Sequence, residues 1–126
     1  MFSKNYNDSD GYHVMVKFDS KFRVIEEVDS MNKVKFLRRN LSCACLLGQN
    51  IYVIGGGESK CESYDTLKSE KKILPCNFDG TDSEGVSAVA IKKRFIFAFG
   101  GHSKDKEKIS RLDTFRMTGG WKLIYL

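Results

Sequence analysis

The chain contains one stretch twice. Residues 42–57, SCACLLGQNIYVIGGG, align without a gap on residues 87–102, SAVAIKKRFIFAFGGH, at a constant offset of 45. Ser42 meets Ser87, Tyr52 meets Phe97, and Gly55-Gly56 meet Gly100-Gly101. Farther on, Tyr64-Asp65-Thr66 meets Leu112-Asp113-Thr114 at an offset of 48, and KKILP from Lys71 meets WKLIY from Trp121 at 50. The added residues fall in polar stretches, where a loop absorbs them. A partial copy comes first: Phe18-Asp19 matches Tyr64-Asp65, and FRVIE from Phe22 matches KKILP. A period of this length marks a repeat architecture, in which each unit buries its apolar face against the next.

Each unit reads as four strands, because short β-branched and aromatic runs alternate with turn residues. In the middle copy these are 41–47, 50–54, 61–67 and 71–76; in the last copy they are 86–92, 95–99, 108–117 and 121–126. The partial copy supplies only strands three and four, at 13–18 and 22–28. Gly48-Gln49 and Lys93-Arg94 suit hairpin connections. Strand two is apolar nearly throughout in both full copies, which predicts burial on both faces. Val28, Met31, Val34 and Leu37 have helix-like spacing, but they fall between units and read as an extended connection. The expected fold class is therefore all-β, an incomplete propeller. It comprises a polar tail (1–11), a partial blade (12–30), an inter-blade connection (31–40) and two four-stranded antiparallel blades (41–78 and 79–126).

The glycine pair after an apolar strand, in Ile51-Tyr52-Val53-Ile54-Gly55-Gly56 and Ile96-Phe97-Ala98-Phe99-Gly100-Gly101, resembles the kelch repeat. Tyr64-Asp65 with Leu74-Pro75, and Leu112-Asp113 with Trp121, extend the likeness, which covers about residues 12–126. Lys71 stands where the family has Trp, and Leu112 where it has Tyr before Asp113. The resemblance implies propeller blades serving as a protein-interaction platform. It marks Gly55, Gly56, Tyr64, Asp65, Gly100, Gly101, Asp113 and Trp121 as structural motif residues. Physical chemistry agrees with that role: glycine ends a strand sharply at low cost, aromatic rings fill the space between blades, and Asp accepts backbone hydrogen bonds at a strand end.

No residue pattern points to catalysis, a cofactor or a metal. Cys43 and Cys45 share a strand face, but with Cys61 and Cys76 they match no zinc spacing. Ala88 and Ala90 occupy the aligned positions in the last copy, so the cysteines read as small apolar side chains. His102 lacks a nucleophile to serve. Asp79, Asp82 and Glu84 lack the calcium-loop pattern. GGGESK at Gly55 carries Ser-Lys, not the Lys-Ser/Thr that a phosphate loop needs before a helix. The net charge of +5 is spread along the chain and interrupted by acids, so no dedicated nucleic-acid surface is expected. MFSKNYNDSDG carries no apolar signal stretch, and no run is long enough for a membrane helix. A cytoplasmic protein with reduced thiols is expected.

Strand direction alternates within a blade, so loops between strands two and three share a face with the inter-blade loops. That face is expected to carry Arg38, Arg39, Glu58, Lys60, Asp82, Glu84, His102, Lys104, Asp105 and Lys106. Loops on a rigid scaffold concentrate binding residues, which makes this face the candidate for a protein partner. Two blades and a half do not close a ring of 4–8. Self-association or docking to a partner would complete it. Two alternatives stand beside the scaffold reading: a fragment of a propeller enzyme of oxidase type, and a truncated gene product with no independent function.

Overall fold

The computed structural model describes residues 2–4, 13–18, 20–21, 24–27, 36–37, 39–78, 83–101 and 108–124. It is all-β and propeller-like, with two four-stranded antiparallel sheets. Strands β1 (Phe2–Lys4), β2 (His13–Phe18) and β3 (Val24–Glu27) form a smaller N-terminal sheet in the order β1-β2-β3. β1 lies in the segment read as a polar tail. Three residues carry no period-2 signal, so only the pairing of Phe2 with Met15 and Lys4 with His13 defines the strand.

The first blade comprises β4 (Ser42–Leu47), β5 (Asn50–Gly55), β6 (Glu58–Asp65) and β7 (Glu70–Asn77), in that spatial order. The second comprises β8 (Val86–Ile91), β9 (Phe95–Gly100), β10 (Ile109–Asp113) and β11 (Trp121–Ile124), again in order. The expected third strand of the last copy, 108–117, is cut short at Asp113. The Asp113 carboxylate accepts the Phe115 N–H at 3.0 Å, which turns the chain, and a single 3₁₀ turn follows at Met117–Gly119.

Both blades close their third strand with the same clasp. The Thr66 N–H and hydroxyl bond the Gln49 carbonyl at 2.9 and 2.7 Å. The Thr114 N–H and hydroxyl bond the Arg94 carbonyl at 3.0 and 2.5 Å. Asp65 accepts the Leu67 and Lys68 N–H groups and the Gln49 amide, while Asp113 takes a bidentate fork from Arg94 at 2.8 and 2.7 Å. That fork holds the Asp113 carboxyl at a pKa of about 2, below the ordinary carboxylate value. Gln49 and Arg94 are aligned positions in the repeat, so the sequence likeness is also a likeness of contacts.

The two sheets pack face to face. Their first strands, β4 and β8, lie side by side, and β7 reaches the 3₁₀ turn of the second blade. The first blade contributes Leu47, Tyr52, Ile54, Cys61, Leu74 and Cys76 to the core between them; the second contributes Ile96 and Leu112, flanked by Ala88, Ala90 and Trp121. Phe78 meets Trp121 edge to face at 4.9 Å, an arrangement worth about 0.5–1.5 kcal/mol beyond its area.

One aligned pair does not superimpose. Cys43 and Cys45 pair with Ile54 and Tyr52, whereas Ala88 and Ala90 pair with Ala98 and Ile96. The hairpin of the second blade places Lys92, Lys93 and Arg94 between the paired Ile91 and Phe95; the first places only Gly48 and Gln49 between Leu47 and Asn50. One extra loop residue moves every side chain of the strand to the opposite face. Ala88 and Ala90 therefore face the first blade instead of turning away from it, and their small size lets the two innermost strands approach.

The expectation that strand two is buried on both faces holds for β5, where Tyr52, Val53 and Ile54 are buried, and fails for β9. There Ile96 and Ala98 are buried against the first blade while Phe99 is 43% exposed. A strand is covered twice only where a layer lies on each side of it.

Candidate binding surfaces

The expected loop face begins at Gly55-Gly56. Gly56 donates to the Ser83 carbonyl at 3.0 Å and accepts from Asn40 at 2.8 Å, and Gly85 donates to the Leu41 carbonyl at 2.9 Å. The Gly57 N–H bonds the Ser83 hydroxyl at 3.0 Å. Three loops (39–41, 55–57 and 83–85) are thus tied into one rim. The glycines are what allow it. Gly55 and Gly56 have φ of 76° and 74°, a region costly for any residue with a Cβ. A Cβ on Gly55 would collide with Val86 and lie 2.8 Å from the Ser83 oxygen; one on Gly56 would lie 2.7 Å from the Arg39 Cβ.

Of the ten residues expected on this face, Glu58 and Glu84 sit half-buried on the rim and Lys60 is exposed. Arg38, Asp82, His102, Lys104, Asp105 and Lys106 lie outside the described residues. Arg39 does not belong to an exposed surface: it is 1% exposed and turned inward. Its guanidinium bonds the Gly55 carbonyl at 2.8 Å, the Lys60 carbonyl at 2.5 Å and Glu62 Oε1 at 2.8 Å. Glu62, fully buried, also accepts the Leu37 N–H at 3.1 Å and Lys71 Nζ at 2.9 Å. The charged trio pins the inter-blade connection to the back of the first blade, beside Phe36 and Tyr64. Lys71, the residue that replaces the expected Trp, supplies a cation to this network. Nothing local in the sequence marks Glu62, since its partner Arg39 lies 23 residues away.

The four cysteines meet on the first blade's face toward the second and are free thiols. Burial pushes Cys43 up to about 12 and Cys45 up to about 11. Cys76 is raised by its hydrogen bond to Cys61, which is lowered by the same bond. Among the described residues, no group of three His, Cys, Asp or Glu is placed to hold a metal ion. Cys43 and Cys45 should react with a disulfide reagent at pH 8 at least about tenfold slower than a free thiol, because the thiolate is the nucleophile. Both should reach the free-thiol rate in denaturant. A native rate equal to the denatured one would contradict this burial.

No protein-family model matches the sequence, and no curated protein matches it.

A second surface, not anticipated from the sequence, is the outward face of the second blade. Strand pairing aligns Val89, Phe97, Arg111 and Lys122 in one row across it. A neighbouring row holds Phe99, Ile109 and Ile124. Arg111 lies over the Phe95 ring at 5.1 Å. Toward the outer strands, Arg111, Arg116 and Lys122 line a cavity of about 270 Å³ together with Asp113, Gly119 and Gly120. No helix among the described residues is long and apolar enough to cross a membrane.

Proposed function

We propose that this chain is a kelch-type propeller module that binds a protein partner through its loop rim. The observation that carries the reading is the rim itself: three loops from both blades are locked together by backbone hydrogen bonds around Gly56, and they present Glu84 on a fixed frame beside Glu58 and Lys60 at the start of β6. A rigid scaffold with charged loops is an arrangement suited to recognition. The internal repeat and the shared Asp-Thr clasp support the kelch assignment. Four free thiols suit a reducing compartment, so the cytoplasm is the proposed location.

Charge reversal tests the rim. The variant Glu58→Lys with Glu84→Lys should keep its strand spectrum and lose cross-links to a partner captured by the wild-type chain. Mass spectrometry should locate the wild-type cross-links within 39–60 and 83–85. Undiminished cross-linking by the variant would refute this face as the binding surface.

A further inference from the structure

The outward face of the second blade is equivalent to the face of the first blade that the second one covers. Phe97 aligns with Tyr52 and Phe99 with Ile54. Tyr52 and Ile54 are buried under the second blade, while Val89, Ile91 and Phe99 are exposed by 40–43%. The glycines tell the same story. Gly55 is closely approached by Val86 and Ser83 of the following blade, whereas Gly100, at φ 80°, has nothing among the described residues within 4 Å of where a Cβ would stand. This face keeps the apolar side chains and the bare turn of a covered face. Apolar patches of this kind mark interaction sites.

Charge decides what covers it. Arg111, Arg116 and Lys122 ring the cavity beside the apolar rows and form no ion pair among the described residues. Asp113, the carboxylate there, is already engaged by Arg94. A second copy docked symmetrically on this face would set these cations against one another, in a chain of net charge +5. An acidic partner would neutralise them, and opposed potentials steer and hold such a partner.

We infer that the outward face of the second blade binds an acidic protein segment, its apolar side chains laid on Val89, Phe97 and Phe99 and its carboxylates held by Arg111, Arg116 and Lys122. This surface is distinct from the loop rim, and the inference does not depend on the rim's role.

The probe is a fluorescent ten-residue peptide of alternating Glu and Val, compared with one of alternating Lys and Val by anisotropy at low salt. The acidic peptide should bind at least about tenfold more tightly, and 0.5 M salt should weaken it through screening. Arg111→Glu with Lys122→Glu should reduce binding by at least about tenfold, while Lys68→Glu, on the first blade, should leave it unchanged. Should the double variant lose its strand spectrum, Arg116→Glu on the exposed turn provides the same test. Equal binding of the two peptides, no binding of the acidic one, or unchanged binding by a folded Arg111, Lys122 or Arg116 variant would overturn the inference. So would light scattering that shows a wild-type dimer dispersed by Phe99→Glu, which would assign the face to a second copy.

Discussion

Gly55→Ala is expected to destabilise the protein by about 2–4 kcal/mol, and Gly100→Ala by only about 1 kcal/mol. The two glycines are aligned in the repeat and share nearly the same backbone, with φ of 76° and 80°. The left-handed conformation therefore costs a new Cβ about the same at both sites, roughly 1 kcal/mol. The difference comes from the neighbours. At Gly55 the added methyl would meet Val86 and a carbonyl oxygen, so the second blade must move away from the first; at Gly100 it would meet none of the described residues within 4 Å. Forcing a group into a packed region typically costs about 1–3 kcal/mol more. Urea unfolding of both variants measures the contrast. Equal shifts in midpoint would mean that the blades do not meet at Gly55 as described.

The buried trio carries the second large effect. Glu62→Ala should cost about 3–5 kcal/mol, because it takes from the buried Arg39 guanidinium the buried carboxylate that pairs with it. Arg39 and Glu62 have side chains with no exposure at all, while Lys71 is partly exposed and can turn to solvent. Lys71→Met should therefore cost much less than Glu62→Ala. Removing both buried charges together, in Arg39→Met with Glu62→Leu, should cost less than the sum of the single changes, since neither charge is then stranded. A strictly additive double-mutant cycle in denaturant unfolding would show that the pair is not coupled. The loss should also extend to the connection: Leu37 donates its N–H to Glu62, so its amide should exchange faster in Glu62→Ala.

These two effects separate what could be read along the chain from what could not. Gly55, Asp65 and Asp113 announce themselves because their requirements are local. A strand that ends abruptly needs a left-handed residue, and a turn that follows a strand needs a carboxylate within two or three residues. Such requirements recur at a fixed spacing and are visible as a repeat. Glu62 has no local requirement. It appears as one more acid in a polar stretch, and its meaning depends on an arginine from the preceding connection. Arg39 reads from the sequence as a rim residue for the same reason: a charged residue in a loop is normally solvated, and only a buried counter-charge reverses that.

From the chain alone came the all-β class and the two four-stranded units, because apolar strand runs and glycine punctuation act over short distances. The tertiary structure decided which face each strand presents. One additional residue in the Lys92–Arg94 hairpin turned Ala88 and Ala90 toward the first blade, and among the described residues no layer covers Phe99, which is exposed where Ile54 is buried. Whether a side chain is covered depends on what stands opposite it, and that is set by packing between sheets, not by order along the chain.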